Sequence, residues 1–484
     1  MATKPFLMDF ETLLRSVEGR RVSSSWGGPG FASVCIDSRK AEEGALFVAL
    51  PGSVQDGHSY VEAAFKAGAV CALVEEARLA EKALGLAEAA EKYGRGLIGV
   101  KSTLKALQDA AAAYVERFSG LLRVGITGSS GKTTTKEIAA AIIGREKKVV
   151  MNRGNLNSET GLPLSVFDVR SWHEVGVFEL GMNRRGEIAE LARVLKPCVA
   201  LITNIGSAHI GLIGSKAGIA GEKKNIFAEF SGDETALIPG DDEYRDFLAR
   251  GIRGKVSFYG LDGVAVSRDL GLSGSEITWA GEKVRFTLPG RHNVRNALAA
   301  AAIAREVPVS DLAIREGLAS VKALFGRGEI LEGRVTVIRD CYNANPESSA
   351  QALAFCDDLE YRGRKVYVMG SMLELGKESR KAHRELGGLL ASSRADKVFL
   401  YGEETEEAAA EMEAALAAFP ETGRGGVPFF HTNSMEQLAR ELRGFVRKGD
   451  LVLLKGSRGC ALEGLSAMLL GGEPAGGAGT GGGR

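Results

Sequence analysis

The segment TGSSGKTTT, Thr127 to Thr135, constrains this chain more than any other feature. It follows an apolar run, Leu121 to Thr127, and opens a stretch of helical character from Lys132 to about Ile143. Strand, glycine-rich turn and helix in that order make a phosphate cradle. Glycines let backbone N–H groups approach oxyanions, and the helix N-terminus adds partial positive charge. Lys132 can reach the β- and γ-phosphates of a nucleotide, and the Thr133 hydroxyl can ligate Mg²⁺. Gly128, Ser129, Ser130, Gly131 and Thr134 complete the loop. A plain Gly/Ser turn with a solvated lysine would not need the strand-to-helix setting. The usual spacing, GxxxxGK[ST], would put its first glycine where Ile126 stands. The chain has the shorter GxxGKT from Gly128, which narrows the field of nucleotide-binding loops.

With 484 residues, one hydrophobic core does not suffice, and two to four domains are expected. Three blocks are readable. In the first, up to about Gly120, Ser33 to Asp37, Leu46 to Leu50 and Ala69 to Glu75 read as strands. Tyr60 to Ala67 and Leu104 to Phe118 read as helices. In the second, Val175 to Leu180 and Val199 to Ile205 are continuous apolar runs, as parallel strands covered on both faces tend to be. His292 to Arg305 is an Ala-rich helix, and Phe325-Gly326-Arg327-Gly328 reads as a hinge. The third block alternates strands and helices from Thr336 to Lys455, which implies right-handed crossovers and a doubly wound sheet. The last segment, GGEPAGGAGTGGGR (471–484), is too Gly-rich to pack and is expected to be disordered.

Lys plus Arg equals Asp plus Glu at 61 each, so nothing in the charge balance favours nucleic acid as a partner. The six cysteines are scattered without a CxxC pair, which points to thiols in a reducing cytoplasm. The first residues carry acids early and no apolar core, and no run is long enough to span a membrane. A cytoplasmic protein, acting as a monomer, is the expectation.

Glu179 ends the apolar strand, at the edge of an α/β sheet where ligands bind. His209, in NIGSAHIG, follows a second such strand. Either residue alone would be an ordinary loop residue. Two of them beside a phosphate loop point to a Mg²⁺ site, although histidine also suits Mn²⁺.

Longer segments carry a resemblance. TGSSGKTTTKE, FELGMNRRGEI, PGRHNVRNALAAAA and RDCYNANPES resemble the Mur ligases of peptidoglycan synthesis. Within that family CIDSRKAEEGALFVAL, QDGHSYVEAA and YNANP are similar to the type that joins D-alanyl-D-alanine to UDP-N-acetylmuramoyl-tripeptide. GNLNSETGLPLSVF, MLELGKESRKAH and LLKGSRG extend the match over nearly the whole chain. The resemblance implies an α/β protein of three domains: a UDP-substrate domain (1–120), a central P-loop ATPase (121–326) and a C-terminal Rossmann-like domain (327–470). It implies an ATP-dependent amide-bond-forming ligase working through an acyl-phosphate, with ATP and two Mg²⁺.

By the same resemblance Lys132 and Thr133 hold the phosphates and metal, Glu179 and His209 serve the metals, and Lys223 is N-carbamylated, with Lys224 as its neighbouring alternative. Asn293 and Asn296 match adenine-side positions, and Arg327 and Asp340 reach phosphate and ribose. Ser38, Arg39, Asp56, Gly57 and His58 would meet the uridine-nucleotide sugar, and Asn155 and Asn157 the peptide or γ-phosphate. Lys455, Ser457 and Arg458 would hold the dipeptide carboxylate. Ser371, Cys341 and Gly211 depart from the pattern, where Asp, Ser and an acidic residue are usual. A sibling ligase is disfavoured because the segment DNPR is missing, and folylpolyglutamate synthase should lack the first domain. A P-loop switch would leave the third block unexplained, and a non-enzymatic scaffold would lose Lys132 or Glu179.

Overall fold

The computed structural model describes residues 5–26, 28–52, 55–81, 84–260, 266–418 and 426–471. The Gly-rich tail therefore lies outside the described residues, apart from Gly471. Three large sheets follow one another along the chain. The first has strand order 20–21, 96–100, 71–75, 45–48, 33–35, parallel except for its first pair. The expected strands at 33, 46 and 69 are present, shortened to Ser33–Cys35, Ala45–Val48 and Cys71–Glu75. Gly96–Val100, buried throughout, was not anticipated, because its two glycines dilute the strand signal.

The central sheet is wholly parallel, ordered 255–259, 235–239, 199–202, 122–127, 175–179, 149–151. Leu122–Thr127 sits in its middle, with Val199–Ile202 on one side and Val175–Glu179 on the other. All five residues of Val175–Glu179 are buried, which is why the run reads as continuously apolar. The carboxyl ends of these three strands form the crevice where such sheets bind ligands. Behind them, helix Lys132–Ile143 packs on the Ala-rich helix Arg291–Glu306, whose Ala297, Ala300, Ala301 and Ala304 are buried. Alanine favours the helix and lets two helices approach closely. A small antiparallel sheet, 266–269, 275–279 and 282–286, was also unanticipated.

The third sheet is ordered 329–332, 336–340, 451–455, 365–370, 397–401, 429–432, parallel except for the first pair. The strands and helices expected for this block are present, with ends shifted by a residue or two. The segment before it holds Gly326 at φ 68° and Gly328 at φ 70°, left-handed conformations that glycine adopts without strain. The first two sheets share one apolar cluster. Phe31 meets Phe167 at 6.0 Å, Tyr114 meets Phe167 at 5.2 Å, and the Tyr114 hydroxyl donates to the Val169 carbonyl at 2.7 Å.

A Cβ at Gly317 would fall 2.4 Å from Ile142 Cα, on the back of the phosphate-loop helix. Backbone cannot yield as a side-chain tip can. Gly317→Ala is therefore expected to destabilise by ~1–3 kcal/mol, read as a lower urea midpoint, despite the better helix propensity of alanine.

Candidate active site

The phosphate loop is wedged rather than free. Gly128 has φ 150° and Gly131 φ 79°. A Cβ at Gly128 would lie 1.7 Å from Thr203 Oγ1, and one at Gly131 2.2 Å from Asn296 Oδ1. Thr203 and Asn204, just past the strand Val199–Ile202, brace the loop. The Ser129 amide donates to the Asn204 carbonyl at 3.0 Å, and the Ser130 amide to Asn204 Oδ1 at 3.1 Å. The Ser130 carbonyl accepts from Thr203 Oγ1 and Asn204 Nδ2. This explains why the strand stops at Ile202 and not at Ile205: the chain turns away to hold the loop. Gly131 starts helix Lys132–Ile143 with no capping side chain, so its first amides are left to a ligand.

Two lysines converge here. Lys132 Nζ donates to the Gly128 carbonyl at 2.9 Å, and Lys223 Nζ donates to the same oxygen at 2.8 Å. Lys223 is 1% exposed. Burial, then the neighbouring Lys132 charge, pushes its ammonium well below the usual lysine range. Burial also lowers Lys132, with Glu179 opposing. Lys224, by contrast, points away and donates to the Phe247 and Arg250 carbonyls. Glu179 is 2% exposed. Its carboxylate accepts from Thr133 Oγ1 at 2.7 Å and from Asn157 Nδ2 at 2.7 Å. Among the described residues no three His, Cys, Asp or Glu side chains form a metal cage. The pair of oxygens on Thr133 and Glu179 nonetheless suits Mg²⁺, which takes few protein ligands and completes its shell with water and phosphate.

The far wall belongs to the third sheet. Arg327, from the glycine hinge, stacks over Tyr342 at 4.1 Å. Asp340 and Lys455, adjacent in register at two strand ends, form an ion pair at 3.0 Å. Asn293 and Asn296 present one face of helix Arg291–Glu306, 3.3 Å apart. Together with Lys132, Thr133, Asn155, Glu179 and His209 these residues line a cleft of about 670 Å³ between the central and third sheets. The third domain also reaches the loop 205–214. Glu374 Oε2 lies 2.9 Å from His209 Nδ1, near enough for an ion pair but not aligned for a hydrogen bond. Glu347 accepts from the Ser207 amide and hydroxyl at 2.9 and 2.8 Å.

Such a cleft, with a phosphate loop, paired lysines and a buried carboxylate, has relatives. The Mur ligase middle domain matches residues 126–304, the Mur ligase glutamate ligase domain 326–458, and the Mur ligase family catalytic domain 31–115. UDP-N-acetylmuramoyl-tripeptide–D-alanyl-D-alanine ligase of Treponema pallidum (strain Nichols) is 42% identical over 466 residues, 96% of this chain and 99% of that protein. This chain belongs to the Mur ligase family. Among solved structures, MurF from Acinetobacter baumannii aligns with a TM-score of 0.82 at 30% identity, over 95% of this chain and 98% of that one. The MurF ligase of Thermotoga maritima in complex with ADP aligns with a TM-score of 0.75 at 28% identity, over 90% and 96%.

In this Mur ligase the cleft lining holds the expected nucleotide-side residues apart from Gly128 and Lys223, and of the substrate-side ones Asn155, Asn157 and Lys455; the others lie elsewhere. His58 is 1% exposed, with Nδ1 2.6 Å from Asp56 Oδ1 and Nε2 accepting from the Glu75 amide at 2.9 Å. Both ring nitrogens are thus spent inside the first domain. Asp56 caps the turn and pairs with Arg78, and the Gly57 amide donates to the Leu50 carbonyl at 2.9 Å. The DGH segment closes a turn. Arg39 is exposed and pairs with Asp37 at 2.9 Å, beside Ser38. Ser457 is buried, its Oγ accepting from the Leu373 amide at 2.9 Å. Lys455 is committed to Asp340 and the Asn343 carbonyl. Arg458 pairs with Glu463 at 2.7 Å, outside the cleft lining. Of the departures, Gly211 has a reason: a Cβ there would sit 2.6 Å from the Gly376 amide of the third domain. Cys341 is buried, which suits a small, weakly polar side chain.

Sequence reasoning missed Thr203, Asn204, Glu347 and Glu374. Glu374 stands in a left-handed conformation, φ 66°, a signal no composition pattern carries. Gly131→Ala should drive a methyl group into Asn296 and strain the loop at once. ADP affinity is expected to fall at least ~10-fold, about 1.4 kcal/mol, in calorimetric titration, and the unfolding midpoint should fall as well, because alanine is strained in the left-handed conformation.

Proposed function

We propose that this Mur ligase joins D-alanyl-D-alanine to UDP-N-acetylmuramoyl-tripeptide, with ATP converted to ADP and phosphate, in the cytoplasmic assembly of peptidoglycan precursors. The observation that carries the reading is the convergence of Lys132 and Lys223 on one carbonyl oxygen at the start of the phosphate-loop helix. Lys132 and the uncapped N-terminus of helix Lys132–Ile143 call for a multiply charged anion, and Lys223 is buried beside them at the same carbonyl. The third-domain wall and the full-length likeness to the Treponema pallidum ligase support a ligase over a simple ATPase. The working units are residues 1–120, 121–326 and 327–470, acting as a monomer. No helix among the described residues is long and apolar enough to cross a membrane.

A carboxylate is a poor acyl donor at neutral pH, because it would have to expel an oxide or hydroxide. A substrate carboxylate oxygen attacks the γ-phosphorus, the bond to ADP breaks, and an acyl-phosphate forms. The dipeptide amine then attacks the acyl carbon, a tetrahedral intermediate collapses, phosphate leaves and the amine proton is lost. Lys132 and the helix N-terminus stabilise charge on the transferring phosphoryl group, and positioning plus such charge stabilisation accounts for most of the catalysis in phosphoryl transfer. Thr133 and Glu179 would hold Mg²⁺, which supplies further positive charge to the phosphate oxygens. Asn293 and Asn296 orient the adenine end, and Arg327 and Asp340 approach phosphate and ribose from the hinge and third domain. Closure of that domain over the cleft excludes water that would hydrolyse the acyl-phosphate.

Lys223 is the lysine proposed to be carbamylated. Its nitrogen would take up CO₂ and release a proton, becoming a carboxylate able to help hold a second Mg²⁺. Its burial against Gly128, with Lys224 turned outward, supports that choice.

Phosphate release should require ATP, the muramoyl tripeptide and D-alanyl-D-alanine together, with the amide product identified by mass spectrometry. Equal turnover of ATP alone would defeat the reading in favour of a nucleotide switch. Lys223→Ala is expected to lower kcat by ~10²-fold or more, the scale of losing one charge-stabilising group. Lys224→Ala should leave kcat within about twofold, since its amine meets the Phe247 and Arg250 carbonyls and the Phe247 ring, away from the cleft lining.

A further inference from the structure

Glu179 is held from behind by the side chain of Asn152, which Lys136 holds in turn, and neither residue lines the cleft. The strand Val149–Met151 pairs with Val175–Glu179 only as far as Met151 opposite Val177. Beyond that point the outer edge of Glu179 has no strand beside it, and the side chain of Asn152 takes the place of one. Asn152 Oδ1 accepts from the Glu179 amide at 2.9 Å, and Asn152 Nδ2 donates to the Glu179 carbonyl at 3.0 Å and to the Leu156 carbonyl at 2.9 Å. The amide side chain of Asn152 is 0% exposed and has three hydrogen bonds. Its own carbonyl accepts from Lys136 Nζ at 2.6 Å.

Lys136 lies one turn after Lys132 on the phosphate-loop helix and is also 0% exposed. Among the described residues its one ion-pair partner is Glu137, with Oε1 at 3.3 Å on the same helix. Burying an ammonium group is costly, and a methionine of similar volume would serve packing alone equally well. What the charge adds is a strong hydrogen bond to the Asn152 carbonyl. A continuous path therefore runs from the phosphate-loop helix through Lys136 and Asn152 to the backbone of Glu179, whose carboxylate returns to Thr133 on that same helix.

We propose that Lys136 and Asn152 are positioning residues that fix the Glu179 carboxylate against Thr133 for metal and phosphate. The proposal rests on the reading of Glu179 as a Mg²⁺ ligand. The side chains close a ring, helix to edge strand to the strand beside it and back, so the placing of Glu179 against Thr133 is supported by hydrogen bonds of Lys136 and Asn152, which lie outside the cleft lining.

The test measures ADP affinity by calorimetry on the full chain over a series of Mg²⁺ concentrations, and in EDTA. Asn152→Ala is expected to raise the Mg²⁺ needed for half of the metal-dependent gain in affinity by ~10-fold or more, the usual effect of losing a group that orients a metal ligand. Affinity in EDTA should stay within about twofold, because the phosphate loop is intact. Asn152→Asp, which keeps the acceptor and loses the donors, and Lys136→Met, which keeps the volume and loses the charge, should shift the requirement in the same direction. They serve as the readout if Asn152→Ala does not fold. In a Glu179→Gln background, Asn152→Ala should add less than about a twofold further change, since the two act as one unit. A normal Mg²⁺ requirement in folded Asn152 and Lys136 variants, alongside an altered one in Glu179→Gln, would overturn the positioning role alone. An unaltered requirement in Glu179→Gln would overturn both it and the metal reading.

Discussion

One carbonyl oxygen, that of Gly128, receives two lysine amines at the mouth of a helix. Like charges at such a distance repel, and their ammonium forms are further disfavoured by burial. An arrangement of that kind is sustained by what it is built to hold. A phosphate group would answer the charge of Lys132 and the partial charge of the helix N-terminus together. The same cleft is lined by Thr133 and Glu179 at the phosphate-loop helix, by Asn293 and Asn296 on the helix packed against it, and by Arg327 and Asp340 on the third-domain side.

The central sheet makes this possible through strand order. Placing Leu122–Thr127 in the middle brings the ends of three strands, and therefore Gly128, Glu179 and the Thr203–Asn204 turn, within a few side-chain lengths. The third domain then closes the site from a different chain direction. Its contacts with the loop 205–214 are polar at Glu347 and Glu374 and nearly backbone-to-backbone at Gly211 and Gly376. The absence of a side chain at position 211 is what permits that approach. Gly326 and Gly328, in left-handed conformations, flank Arg327 where the chain passes into the third domain, and Arg327 lines the cleft.

Much of this was legible in local sequence because its physical causes are local. A glycine-rich turn between an apolar strand and a helix has one economical use, and a buried carboxylate at a strand end has few. The DGH segment near the N-terminus was legible in a different sense. Its residues form a tight turn in which His58 satisfies both ring nitrogens internally, so the motif marks a local conformation. Strands such as Thr235–Pro239 and Lys255–Tyr259 went unread because the former has an apolar run of Ala236 to Ile238 only, ended by a proline, and the latter is a half-exposed edge, with no long run or clean alternation to mark it.

The sequence by itself determined the chemistry: a phosphate loop, an acidic strand end, a lysine pair and an alternating third block, all set by neighbours along the chain. Only the tertiary structure decided which groups meet. Lys223 and Lys224 are indistinguishable in a string, yet successive helical residues point about 100° apart, so one faces the loop and the other faces outward. Likewise Lys455 and Asp340 are brought side by side by strand register, and Asn152 replaces a missing strand beside Glu179. Such pairings depend on how elements pack and rotate against one another, and no local pattern encodes that.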